Sequence, residues 1–83
     1  KVTGDSMEEK LSEGDVVLID TTQKQITSGK LYAIQTQDGL KVKMIQSAGN
    51  GYVAVSYNKN YVPFALDESM TIFGRVINRT GSV

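Results

Sequence analysis

Turn signals recur along this chain at intervals of roughly 8 to 12 residues, and short β-prone runs lie between them. The turns are rich in Gly, Asn and Asp, and they are Glu13–Asp15, Ser28–Lys30, Gln37–Gly39, Gly49–Gly51 and Tyr57–Asn60. Because evenly spaced short strands are typical of all-β domains, the pattern predicts an all-β fold. Helix-forming residues occur only at Ser6–Leu11, which is long enough for one or two helical turns.

The runs between the turns predict the strands Val16–Ile19, Leu31–Thr36, Leu40–Gln46, Tyr52–Tyr57 and Thr71–Ile77. Val16–Ile19 is continuously apolar, so we expect this strand to be buried on both faces. Asp38-Gly39 is a strong two-residue hairpin signal. Gly74, inside the last strand, predicts a bulge or a close approach of another backbone.

Composition limits the chemistry that this chain can perform. Its 83 residues form one small domain, residues 1–83, without histidine or cysteine. A Ser-His-Asp triad, disulfides and thiolate metal sites are therefore excluded, and the missing cysteines suit a cytoplasmic protein. Nine basic and nine acidic residues balance, so we expect no nucleic-acid or membrane surface in this segment. No apolar run approaches the roughly 20 residues of a membrane span.

Ser6 and Lys43 are the candidate reactive residues. Ser6 follows a Gly-Asp pair, where a tight turn can present backbone amides to a reacting oxygen. It could equally cap a turn, because Glu9 stands three positions later. Lys43 stands among Val42, Met44 and Ile45, and burial there would lower its pKa and produce a neutral amine. On a hairpin, however, a lysine is more often a solvated residue that discourages strand pairing.

Four ordered blocks resemble the self-cleaving peptidase domain of the LexA, UmuD and phage-repressor family. They are the segments Val2–Met7, Gly14–Asp20, Gly39–Ile45 and Gly74–Ile77. The resemblance extends over nearly the whole chain. It implies the family's all-β fold, made of several short, strongly coiled antiparallel sheets with an SH3-like barrel. The sequence departs from the family pattern at Met44, where many relatives carry Arg or Lys.

The resemblance implies a Ser-Lys dyad, with Ser6 as the nucleophile and Lys43 as the general base. Backbone amides of Asp5 and Ser6 would form the oxyanion hole, and Gly4, Gly14 and Asp15 would shape the turns. No metal or cofactor is implied. Ala48-Gly49 spells a cleavage pair of the family, but the family's cleavage loop lies upstream of the serine, so we interpret this pair as a turn.

By the same resemblance, the chain is the C-terminal domain of a phage-type or SOS repressor that cleaves itself and forms homodimers. Partners would be the activated recombinase filament and, through an N-terminal domain absent from this sequence, DNA. Dimerisation is expected through the C-terminal strand, with its edge paired across a two-fold axis and with contacts from Phe73, Arg75 and Ile77. The alternatives are a non-catalytic dimerisation module, a UmuD-like polymerase accessory protein and, less in keeping with the missing anchor, a type I signal peptidase fragment.

Overall fold

The computed structural model of this chain describes residues 15–82, with side chains for residues 16–78. The strands in this part are β1 (Asp15–Asp20), β2 (Lys30–Thr36), β3 (Gly39–Ala48), β4 (Gly51–Val55), β5 (Phe64–Ala65) and β6 (Thr71–Ser82). They form one antiparallel sheet in the order β1-β6-β2-β3-β4-β5. The all-β prediction is confirmed, and the described strands join in a single sheet. The helical turns predicted at Ser6–Leu11 lie outside the described residues.

All five predicted strands differ from the observed ones by a few residues at one or both ends, and one strand was not predicted. β4 ends at Val55 rather than at Tyr57, while β6 continues to Ser82 instead of ending at Ile77. The short strand β5 follows Pro63, and the sequence offered too short an apolar run to indicate it. Within residues 15–82, no helix is long and apolar enough to cross a membrane.

Two tight hairpins determine the register of the central strands. In the β2–β3 hairpin Thr36 pairs with Gly39, so the loop residues are Gln37 and Asp38, one position earlier than predicted. Gly39 has a φ of 114°, a backbone conformation that favours glycine. The β3–β4 hairpin turns at Gly49, where φ is 59°, between the paired residues Ala48 and Gly51. The interpretation of Ala48-Gly49 as a turn is therefore confirmed.

The core is built on β2, β3 and β4. Its fully buried apolar residues are Tyr32, Ala33, Ile34, Ile45 and Ala54. Four of these, Tyr32, Ile34, Ile45 and Ala54, form one cluster. Partly buried side chains from the loops and from β5 and β6 pack against it, namely Ile26, Phe64, Leu66, Met70 and Ile72. The burial of Tyr32 is compatible with its polar hydroxyl because that group accepts a hydrogen bond from the amide of Thr27 at 2.7 Å and donates one to the carbonyl of Gln25 at 3.1 Å.

The expectation that Val16–Ile19 is buried on both faces is wrong. Leu18 is 49% exposed, and its neighbours in the run are only partly buried. The physical reason is the position of the strand: β1 is the terminal strand of the sheet and, within residues 15–82, is hydrogen-bonded to β6 alone. A continuous apolar run can thus form an edge strand whose outer face stays open.

Gly74 is a point of close backbone approach, as predicted. A Cβ atom at this position would lie 2.6 Å from the carbonyl oxygen of Asp20 and 2.7 Å from a methyl carbon of Ile19. The β2–β6 register also shifts here, between Ala33 and Ile34, so the bulge is present as well. The missing side chain lets the end of β1 pack directly on β6.

β6 uses its two edges at different points along the strand. Residues 71–75 pair with β2, whereas residues 75–82 pair with β1. Within residues 15–82, β6 therefore lies between β1 and β2 in the sheet, and dimerisation through this strand stays a prediction. Two of the three predicted interface side chains are exposed, Phe73 by 43% and Ile77 by 55%. Arg75 is half-buried, and its guanidinium donates a long 3.5 Å hydrogen bond to Gln23.

Candidate functional site

Lys43 is a charged side chain placed in the core face of the sheet. The side chains of a strand alternate between its faces, and on β3 the buried positions are Lys43 and Ile45. Lys43 is 5% exposed, and its cross-strand neighbour Tyr32 on β2 is fully buried. Because paired residues share a face, the stem of Lys43 lies beside the core and not on the open surface.

The ammonium group of Lys43 reaches Ser56, immediately after β4. Its Nζ atom donates a hydrogen bond to Ser56 Oγ with a separation of 2.8 Å. The β3–β4 register explains the contact: Met44 pairs with Val55, so Ser56 takes the next position, opposite Lys43. Side chains that face each other across two strands are close enough to bond directly.

An aromatic ring and a second lysine also influence the ammonium group of Lys43. Nζ lies 5.3 Å from the centre of the Tyr61 ring, in the loop between β4 and β5, within the range of a cation–π contact. Burial lowers the pKa of Lys43 below its ordinary value, and the positive charge of Lys41 lowers it further. The fold therefore favours the neutral amine more than water does.

The other residues predicted for the site are on the N-terminal segment. Gly4, Asp5, Ser6 and Gly14 lie outside the described residues, so their predicted roles stay predictions. Asp15 is the first residue of β1 and pairs with Ser82. The structure thus describes the lysine half of the predicted dyad.

Sequence reasoning missed Ser56 and Tyr61. A signal for Ser56 was present in the sequence. The Gly49-Asn50 turn pairs Ala48 with Gly51, and continuing this pairing along both chain segments brings Ser56 opposite Lys43. No comparable signal exists for Tyr61, since it lies in an irregular loop whose path is determined by tertiary packing. Both residues contact the same nitrogen atom.

The chemistry available at this site is proton transfer by a lysine amine. A neutral amine can accept a proton from a hydroxyl, and the ammonium ion that forms can return it to a leaving group. Among residues 15–82, the carboxylates form no group of three that could bind a metal ion.

Comparisons with known proteins show the family of this chain. The family model described as Peptidase S24-like matches residues 1–77. The repressor protein CI of Enterobacteria phage phi80 is 34% identical over 68 residues, which cover 81% of this chain and 29% of that protein. The HTH-type transcriptional regulator PrtR of Pseudomonas aeruginosa PAO1 is 33% identical over 64 residues, covering 76% of this chain and 25% of that regulator.

The chain therefore spans less than a third of the length of either relative. The family match includes both the segment with Ser6 and the strand with Lys43, and it extends over most of the chain. This chain belongs to the Peptidase S24-like family.

Proposed function

We propose that this chain is the peptidase-like domain of a transcriptional repressor and that it cleaves its own polypeptide through Ser6 and Lys43. The two relatives are named as a repressor and a transcriptional regulator, and their matches cover 81% and 76% of this chain. The observation that carries the catalytic part is the burial of Lys43, which is 5% exposed and whose pKa burial lowers. Retaining such a lysine in a small core costs stability, which a catalytic role would explain.

The reaction is acyl transfer to serine. The neutral amine of Lys43 removes the hydroxyl proton of Ser6 while Ser6 Oγ attacks a peptide carbonyl carbon. Backbone amides of Asp5 and Ser6 stabilise the tetrahedral oxyanion. The C–N bond then breaks, the ammonium of Lys43 donates its proton to the departing amine, and an ester links Ser6 to the acyl fragment. Water, deprotonated by the same lysine, hydrolyses this ester.

The scissile bond belongs to a loop of the same polypeptide, upstream of Ser6. Tethering the loop converts a bimolecular encounter into an intramolecular one with a high effective concentration. Ala48-Gly49 is unsuitable as the substrate because it forms the tight β3–β4 turn, with Ala48 paired to Gly51. In an SOS-type repressor, contact with the activated recombinase filament would trigger this step.

Ser6→Ala is expected to abolish self-cleavage. Without the hydroxyl no acyl-enzyme forms, so the rate should fall by at least about 10³-fold. The natural polypeptide that carries this chain is incubated near pH 10, and its fragments are measured by mass spectrometry. At this pH a substantial fraction of an ordinary lysine amine is neutral. Ser47→Ala, which removes an exposed serine hydroxyl on β3, is the matched control and should cleave at the wild-type rate.

Cleavage by the Ser6→Ala variant at the wild-type rate would contradict the assignment. A wild-type protein that never cleaves, even at high pH and with the recombinase filament, would instead support the reading as a dimerisation module without catalysis.

We also propose that the protein forms a homodimer through exposed side chains of β6. Phe73 and Ile77 are large apolar residues that are about half exposed, and Leu18 on the neighbouring strand β1 is 49% exposed. Apolar side chains in such numbers on adjacent strands are common at protein interfaces. A two-fold arrangement would bring the same side chains of both copies together.

Phe73→Asp is expected to weaken the dimer by roughly 30-fold, because a charge would replace an apolar anchor worth about 2 kcal/mol. Sedimentation equilibrium across micromolar concentrations measures the change. Val62→Asp is the control, since Val62 is 84% exposed and lies in the β4–β5 loop, away from β6. A wild-type protein that sediments as a monomer at all these concentrations would refute the proposed interface.

A further inference from the structure

We propose that Ser56 is a positioning residue for Lys43: its hydroxyl holds the Nζ atom in the orientation that proton transfer requires. This inference rests on the proposed Ser6–Lys43 mechanism and extends it to the residue that immediately follows β4. The contact is direct, with a separation of 2.8 Å between Lys43 Nζ and Ser56 Oγ. Ser56 itself does not touch the reacting atoms in this scheme.

The need for such a residue follows from the side chain of lysine. Its four-carbon stem has several rotatable bonds, so packing of the stem alone leaves the terminal nitrogen with more than one possible position. Ser56 lies directly opposite Lys43 because of the β3–β4 register, and its backbone is anchored by the preceding paired residue Val55. A hydroxyl at this point therefore restricts Nζ from a residue that directly follows the paired end of β4.

The hydroxyl suits both protonation states of the amine. It accepts an N–H from the ammonium form, and it can donate its own proton to the lone pair of the neutral form. Hydrogen bonds to a charged group are stronger than those between neutral groups, so Ser56 stabilises the ammonium form more. Ser56 thus partly opposes the lowering of the Lys43 pKa by burial.

Other groups near Lys43 also stabilise or destabilise its ammonium form. Lys41 on β3 repels the ammonium, whereas the Tyr61 ring in the β4–β5 loop attracts it. Tyr32 is its partner on β2, and Arg75 of β6 pairs with Tyr32 on the far side. The hydroxyl of Tyr32 is already bonded to the backbone of Gln25 and Thr27. Ser56 contacts Nζ directly, through a hydrogen bond of 2.8 Å.

The experiment compares the wild-type polypeptide with Ser56→Ala, Ser56→Thr and Ser56→Cys. Two quantities are measured against pH: the titration of Lys43 Nζ by NMR with isotope-labelled lysine, and the rate at which a fluorophosphonate probe labels Ser6. Ser47→Ala is the control for loss of a serine hydroxyl. Ser56→Cys preserves the side-chain shape with a weak hydrogen-bonding group, in case the alanine variant does not fold.

For Ser56→Ala and Ser56→Cys we expect the Lys43 pKa to fall further and the plateau labelling rate at high pH to fall about tenfold, the scale of one lost hydrogen bond. Ser56→Thr, which keeps the hydroxyl, should restore both. An unchanged plateau in both variants that lack the hydroxyl would overturn the proposal, whether or not the pKa moves.

The proposal and the mechanism on which it rests can fail separately. If wild-type Ser6 is not labelled at any pH, the Ser6–Lys43 mechanism is wrong. The NMR titration would still report whether Ser56 influences the Lys43 amine. If Ser6 is labelled normally and the Ser56 variants match wild type, only the positioning role is wrong.

Discussion

Lys43→Met is expected to eliminate self-cleavage and, at neutral pH, to make the protein more stable. Loss of a general base reduces rates by about 10²- to 10⁴-fold. Methionine has a similar length and flexibility and no charge, so it fits a space in which Lys43 is 5% exposed. The variant therefore removes the cost of burying an ammonium group while most of the packing is retained.

The sign of the pH dependence follows from the lowered pKa of Lys43. Below that pKa both the folded and the unfolded chain carry the proton, and the burial cost is fully present. Between that pKa and the ordinary lysine value of about 10.4, the unfolded chain binds more protons than the folded one. Wild-type stability contributed by Lys43 therefore rises with pH through this window and levels off above it.

We thus expect Lys43→Met to raise the free energy of unfolding at neutral pH, because the variant removes the cost of burying the ammonium group. The gain should shrink as the pH approaches 10.4. Urea unfolding of variant and wild type at a series of pH values measures the difference.

Lys59→Met, at an exposed loop lysine, is the matched control and should change stability little at any pH. A Lys43→Met protein less stable than wild type at neutral pH would show that the bonds of Lys43 to Ser56 and Tyr61 outweigh its burial. A variant that still cleaves normally would remove Lys43 from the mechanism.

Gly74→Ala is expected to be strongly destabilising, by about 3 kcal/mol, because the added methyl group has no space. Its Cβ would lie 2.6 Å from the carbonyl oxygen of Asp20, and a backbone atom of a paired strand cannot move aside as a flexible side chain can. Either β1 separates from β6 near Asp20 or the bulge in β6 deforms. Thermal or urea unfolding, followed by circular dichroism, measures the loss.

Gly51→Ala is the matched control, since it changes another strand glycine at which a Cβ would meet nothing within 4 Å. Alanine there should be neutral or stabilise by up to about 1 kcal/mol through the unfolded state. Equal effects of the two substitutions would show that the close approach at Gly74 does not determine the packing of β1.

Local features of the sequence were sufficient to predict most of the sheet. Alternation along β3 placed Lys43 and Ile45 on one face, and the Gly39 and Gly49 turns indicated both central hairpins. Gly74 was recognisable because a glycine inside an apolar strand has few explanations other than a bulge or a close contact. These predictions succeed because strand period and turn conformation depend on neighbouring residues.

Only the tertiary structure determined which strands are neighbours and which side chains are exposed. The run Val16–Ile19 could not reveal that it would form the terminal strand, with Leu18 exposed, because exposure depends on which strands lie beside it. The change of partner along β6 likewise follows from the twist and bulges of the whole sheet.

The candidate site divides in the same way. The apolar neighbours of Lys43 in the sequence left two outcomes open, a buried lysine with a lowered pKa or a solvated edge residue, and the structure shows the buried one. The partners of its amine are Ser56 and Tyr61, which are 13 and 18 positions further along the chain. They meet Nζ only when the β3–β4 hairpin is paired and the following loop folds back over the sheet, and such contacts between distant residues arise from the fold as a whole.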